Sequence, residues 1–145
     1  MNKENEKTQE MSAAEKRETE ETAAVAARAF QRYNIGALPV CGSGGELYGV
    51  LTDRDIVTRC LAANRLPEET RVRDIMTAQV RSAAPDMDTG AAASLMGRHQ
   101  IRRLPVVENG KLCGMVSLGD LANNSDSTYD AADALAEITN NISRR

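Results

Sequence analysis

The chain has 145 residues, room for one ordinary domain or two small ones sharing a core, and too few for a large multidomain enzyme. It is 41% hydrophobic and 27% charged with no Trp, so Ala, Val, Leu, Ile and Met must fill a globular core beside Phe30, Tyr33, Tyr48 and Tyr129. Net charge is −3, no apolar run approaches the roughly 20 residues of a membrane span, and no Lys/Arg stripe is interleaved with aromatics; a cytoplasmic protein with neither membrane nor nucleic acid as partner is expected.

The charge is localised. Residues 1–22 hold seven Glu against three Lys and one Arg, whereas the remainder balances 14 acidic with 14 basic side chains. Met1 opens a polar stretch unlike a signal peptide, and residues 1–21 read as an acidic arm, mobile or helical. From Thr22 to Arg32, Ala23, Val25, Ala26, Ala29 and Phe30 recur at three-to-four spacing, which predicts a helix with one buried face. Two apolar runs follow, Leu38–Cys41 and Leu47–Leu51, joined by Gly42-Ser-Gly-Gly45. That glycine loop lacks the Lys and Ser/Thr of a Walker loop and lies in a hairpin, so it is not read as a nucleotide cradle. A second helix is predicted from Asp53 to about Ala62, closing a unit over 22–63, with a linker at 64–71.

A second unit spans 72–123. Val72-Arg-Asp-Ile-Met-Thr77, running into Val80, reads as a docking turn and a short leading strand. Thr89 to Arg98 carries Ala91, Ala92, Leu95 and Met96 on a helical face. Leu104–Val107 and Leu112–Val116 form a hairpin through Asn109-Gly110, a pair that tolerates positive φ. A short helix runs from Leu118 to about Asn123. Residues 124–145 are a turn-rich linker and a helix with Ala131, Leu135, Ile138 and Ile142 on one face, able to pack on its own domain or on a partner subunit.

The two units are copies. Tyr33–Val40 aligns with His99–Val106 at an offset of 66, and Gly45–Ile56 with Gly110–Leu121 at an offset of 65, with eight identities in these windows. Only Met11-Ser12 stands where the second copy has Val72–Thr77, so the first copy is expected to lack its leading strand.

In both copies an apolar strand runs into Ser/Thr-x-x-Asp: Thr52-Asp-Arg-Asp55 and Ser117-Leu-Gly-Asp120. This is the pattern of a capping box, and the same geometry offers free N–H groups and positive dipole to a phosphate. A hydroxyl that caps can still donate to a phosphate, and a carboxylate can take the two hydroxyls of a ribose. Arg102 and Arg103 enter the second copy's Leu-Pro strand, with Arg98 and His99 upstream; the first copy has Gly36 and Ala37 there, although Arg54 lies inside its motif. Cys41, Cys60 and Cys113 are an odd, dispersed set, and His99 stands alone, so neither disulfides, a zinc ribbon nor a histidine triad is expected. Asp53, Asp55, Asp86 and Asp88 have no neighbouring nucleophile or metal set, and no enzyme is predicted.

Ile35-Gly-Ala-Leu-Pro-Val40, Gly49-Val-Leu-Thr-Asp-Arg-Asp-Ile56, Val72-Arg-Asp-Ile-Met-Thr77 and Arg102-Arg-Leu-Pro-Val-Val-Glu-Asn-Gly-Lys-Leu112 resemble a tandem pair of CBS (cystathionine β-synthase) domains, a Bateman module, over roughly 22–123. The resemblance implies a mixed α/β (α+β) fold of two β-α-β-β-α repeats packed as a pseudo-twofold pair. It implies clefts between the repeats for AMP, ADP, ATP or S-adenosylmethionine, with or without Mg2+. Phosphate contact falls to Ser117, Thr52, Arg102 and Arg103, and ribose contact to Asp120 and Asp55. Adenine contact falls to the segment after Met-Thr, namely Thr77, Gln79, Val80 and Arg81, and to Leu104, Pro105, Leu38 and Pro39. With its leading strand absent, the Asp55 cleft should be the weaker. The expected function is regulatory sensing of an adenosine nucleotide, acting as a homodimer on an unidentified protein; the alternative is a dimerisation or interaction scaffold with vestigial clefts.

Overall fold

The computed structural model describes residues 16–123 and 128–143, so residues 1–15 of the acidic arm and residues 124–127 of the linker lie outside the described residues. The described chain forms two units. One runs to Val80 and includes Asn109–Leu112; the other comprises Arg81–Glu108 and the residues from Cys113 onward.

In the first unit, β1 (Arg17–Glu18) precedes α1 (Ala23–Tyr33), β2 (Ala37–Cys41) and β3 (Leu47–Thr52). Thr22 caps α1, its hydroxyl accepting from Val25 N at 3.3 Å, and Asn34 ends it in the left-handed region. β2 and β3 are antiparallel, with Leu38 opposite Leu51 and a register shift at Val40/Cys41. β1 lies parallel to β2, Arg17 beside Val40 and Glu18 beside Cys41. The first copy therefore has a leading strand, contrary to the expectation. The second copy's equivalent is a single parallel bridge of Ala83 to Val106. Arg17 and Ala83 are 66 residues apart, as are Val40 and Val106, so both copies use the same position. The sequence pattern misled because only one or two residues pair, too few for alternation to register.

Pro39 sits in the middle strand of this sheet without breaking it. Val50, opposite, turns its N–H and C=O to Thr77, and β1 reaches only Val40 and Cys41, so no partner requires the N–H that Pro39 lacks. Pro105 likewise serves only as acceptor, from Ala83 N at 2.8 Å.

After β3, the α-helical turn α2 (Asp53–Asp55) continues as a π-helical segment, Ile56–Leu61. Val72–Ile75 is helical, α3, where a docking turn was expected. Val72 and Ile75 are buried in the first unit's core with Phe30, Leu38, Leu51 and Ile56.

In the second unit, α4 (Thr89–His99) is capped by Asp88 and ends on left-handed Gln100. β4 (Arg103–Glu108) pairs with β5 (Lys111–Ser117) through Asn109 and Gly110, at φ of 53° and 77°. α5 (Leu118–Ala122) follows, and α6 (Thr128–Ser143) closes the described chain. The face of α6 differs from the sequence reading: Ala131, Ala134 and Ile138 are buried with Met96, Leu104 and Leu121, while Leu135 is 43% exposed. A Cβ on Gly97 of α4 would stand 3.1 Å from Ala134 Cα, so a glycine lets α6 approach closely. Ala131, Ala134 and Ile138 of α6 thus pack on its own unit, and the side chain of Ile142, also expected on that face, lies outside the described residues. Among the described residues no helix is long and apolar enough to cross a membrane.

Candidate functional site

Each copy ends its second hairpin strand in a closed reciprocal cap. In the first, Asp55 N donates to Thr52 Oγ1 at 3.1 Å and Thr52 N donates to Asp55 Oδ2 at 2.9 Å. In the second, Asp120 N donates to Ser117 Oγ at 3.0 Å and Ser117 N to Asp120 Oδ2 at 2.9 Å. The residue after the hydroxyl is also tied down in both: Asp53 N donates to Gly36 O at 3.1 Å, and Leu118 N to Arg102 O at 2.8 Å. Capping and ligand contact are compatible here. The hydroxyl accepts from the backbone and keeps its own proton to donate, and one carboxylate oxygen of each Asp remains outside the cap.

The copies differ in what is left over. Of the first backbone N–H groups of α5, Gly119 N alone has no acceptor among the described residues. The equivalent Arg54 N already donates to Asp53 Oδ1 at 2.8 Å. The Asp53 carboxylate lies over Gly36, where a Cβ would meet its Oδ2 at 3.6 Å, and Gly36 is the counterpart of Arg102. One turn therefore sets a carboxylate against a glycine where the other has an arginine. Arg102 and Arg103 are exposed and have no ion-pair partner among the described residues. Asp55 is 8% exposed and its Oδ1 stands 3.8 Å from Arg59 Nε; Asp120, half-buried, has no such partner among the described residues.

The remaining expected contacts fall in two places. Leu38 and Leu104 are fully buried in their units' cores and Pro39 and Pro105 are buried beside them, so these strands can offer a ligand chiefly backbone groups. Thr77 is exposed and bonded to β3 by two 3.0 Å bonds: Val50 N to Thr77 O and Thr77 N to Val50 O. Gln79 and Arg81 are exposed and Val80 half-buried. By packing, Thr77, Gln79 and Val80 belong to the first unit with Thr52 and Asp55, and Arg81 to the second with Ser117, Asp120, Arg102 and Arg103.

Sequence reasoning did not single out Arg59, weighed Asp53 only as a carboxylate without a neighbouring nucleophile or metal set, and did not single out Gly49. A basic residue four positions after Asp55 on a helix was a legible signal for the first. The third was not legible, since a Cβ at Gly49 would meet Thr77 O at 2.5 Å only because of a tertiary contact.

Two repeats of the family model described as CBS domain match residues 18–62 and 72–127. The chain belongs to the CBS-domain family. The CBS domain-containing protein YhcV of Bacillus subtilis is 44% identical over 114 residues, covering 79% of this chain and 80% of that protein. The crystal structure of Hypoxic Response Protein I with two coordinated zinc ions superposes at a TM-score of 0.74 with 30% identity, covering 82% of this chain and 96% of that one. The crystal structure of CBSX2 in complex with AMP shares the fold at a TM-score of 0.71 and 21% identity, covering 86% of this chain and 96% of that one. Among the described residues of this CBS chain, no group of three His, Cys, Asp or Glu is placed to hold a metal ion. Cys41, Cys60 and Cys113 form no disulfide among the described residues.

Proposed function

We propose that this chain is a regulatory module that binds an adenosine nucleotide, AMP, ADP, ATP or S-adenosylmethionine, with or without Mg2+, and passes the binding on as a shift between conformations to a protein partner. One observation carries the reading: at Ser117 and Asp120, a capped turn keeps a hydroxyl proton, a carboxylate oxygen and the Gly119 N–H available, next in the fold to Arg102 and Arg103, none of them with a further partner among the described residues. That is a donor set for phosphate and an acceptor for a ribose diol. AMP bound to CBSX2 supports adenosine ligands on this fold.

Ser117, Arg102 and Arg103 take phosphate in the second copy and Asp120 takes ribose; Thr52 and Asp55 are their counterparts in the first. The second copy is the stronger site. Its advantage is not a leading strand, which both copies have, but charge: Asp53 fills the Arg54 N–H and repels phosphate, whereas Arg102 attracts it. Adenine is held by backbone groups of the Leu-Pro strands and by Thr77, Gln79, Val80 and Arg81. No catalysis is assigned, and three cysteines that form no disulfide among the described residues suit a reducing cytoplasm.

A scaffold role draws on a different observation. Val57 and Leu61, one turn apart on the π-helical segment, and Leu66 beyond it are each more than half exposed, an apolar surface that a second copy of the chain would cover in a homodimer. A thermal-shift screen separates the two roles. Ligand at about 100 times its Kd adds about 2.7 kcal/mol to the folded state. A rise in Tm with one adenosine nucleotide supports sensing, and no rise with any of the four leaves the scaffold.

A further inference from the structure

Arg59 makes three contacts that no single local role accounts for. Its Nη1 donates to Ile75 O at 3.3 Å and to Met76 O at 3.1 Å, and its Nε stands 3.8 Å from Asp55 Oδ1. The two carbonyls are at the C-terminal end of α3, where backbone acceptors lack helical partners and a cation is favoured. The next residue, Thr77, is paired with Val50 of β3, and the absent side chain of Gly49 makes room for it. One guanidinium therefore spans from the capping carboxylate of the first copy to the segment that ends on Thr77.

We propose that Arg59 is a positioning residue: oriented by Asp55, it holds the Ile75–Thr77 segment against β3, and a ligand hydroxyl that takes Asp55 Oδ1 loosens that hold. The ligand half of this statement rests on the nucleotide reading above; the link from Asp55 through Arg59 to Thr77 does not. The device belongs to the first copy alone. The position matching Arg59 at the offset of 65 is Asn124, which carries no charge. The weaker nucleotide turn thus acquires a distinct task, reporting occupancy to the stretch of chain that leads from α3 into the second unit.

Amide hydrogen exchange on the full chain tests this, read at Thr77 N–H, with Val107 N–H, which donates to Ala83 O at 2.8 Å, as the reference in the other unit. Arg59→Ala should speed Thr77 exchange about three- to tenfold, the range expected when bonds from a charged donor are lost at a partly exposed site. Arg59→Lys, able to donate to one carbonyl but not to fork across two, should recover part of the protection. Asp55→Asn, which keeps an oxygen for the cap, should speed Thr77 exchange in the wild-type background and add nothing in Arg59→Ala. A plain C-terminal cap on α3 would not couple to Asp55 in this way. Unchanged Thr77 exchange in Arg59→Ala overturns the proposal, and so do additive effects of the two substitutions. If Arg59→Ala also frees Val107, showing global unfolding, Arg59→Lys and Asp55→Asn decide by the same criteria. Adding AMP to the wild type should change Thr77 exchange, and not in Arg59→Ala. AMP at a concentration that also fills the weaker Asp55 turn and leaves Thr77 unchanged overturns the ligand half. Failure of AMP, ADP, ATP and S-adenosylmethionine alike to bind contradicts the nucleotide reading, and the ligand-free rates then judge the Arg59 link on their own.

Discussion

Ser117 and Asp120 hold each other through the backbone, Ser117 N to Asp120 Oδ2 at 2.9 Å and Asp120 N to Ser117 Oγ at 3.0 Å. This pairing stops β5 and starts α5 in a single step, so residues that order the fold are also those proposed to meet a ligand. Substituting either should therefore move stability and binding by different amounts. Ser117→Ala and Asp120→Ala should each cost about 1 kcal/mol of stability, the usual worth of a helix cap, measured by urea unfolding. Loss of much more than that from either would mean the turn supports the core beyond the cap.

Gly49 is required by Thr77. A methyl group there would overlap Thr77 O, a backbone atom that moves only if the Met76–Thr77 segment leaves β3. Gly49→Ala should cost about 1–3 kcal/mol, the typical penalty of overpacking, and should accelerate exchange at Thr77 and Val50 in particular. A neutral Gly49→Ala with unchanged exchange would contradict the close approach.

The buried face of α6 can be read by two truncations. Ile138 is 4% exposed and Leu135 is 43% exposed. Ile138→Ala should cost about 2–4 kcal/mol, while Leu135→Ala should stay within about 0.5 kcal/mol. Equal costs would mean that α6 is rotated toward the face expected from the sequence.

Burial raises the thiol pKa of Cys41, with Lys16 pulling it down and Glu46 pushing it up by smaller amounts. The unfolded thiol ionises first, so the stabilisation from Cys41 is complete below the ordinary thiol pKa of about 8.5 and is lost as pH rises through the higher folded value. Tm should fall more steeply above that point in the wild type than in Cys41→Ala. Parallel curves would mean that Cys41 ionises alike in both states.

Much of this was legible in the chain itself. The hairpins, the helix starts at Thr22 and Thr89, the Asn109-Gly110 turn and both capping boxes are local: a hydroxyl three residues before a carboxylate, or a residue that tolerates positive φ, declares itself. What was hidden depends on partners distant in sequence. β1 is a strand only because Val40 and Cys41 lie beside it, and two residues carry no alternation. α6 shows Ala134 inward and Leu135 outward because Gly97 admits a close helix, a choice that a hydrophobic stripe alone assigns to the larger side chain. Asp53 read only as a carboxylate near Asp55 with no neighbouring nucleophile or metal set. Its side chain instead occupies the neighbouring Arg54 N–H, and it makes the two copies unlike in charge.

The central claim is that the Ser117–Asp120 turn binds a sugar phosphate, and calorimetric titration of AMP, ADP, ATP and S-adenosylmethionine into the wild type, Asp120→Ala and Asp55→Ala addresses it most directly. The account predicts saturable binding of at least one of them, weakened about tenfold or more by Asp120→Ala, the scale of a lost charge-assisted bond, and less by Asp55→Ala. Binding heat from none of the four, or affinity that survives Asp120→Ala and disappears in Asp55→Ala, would contradict it.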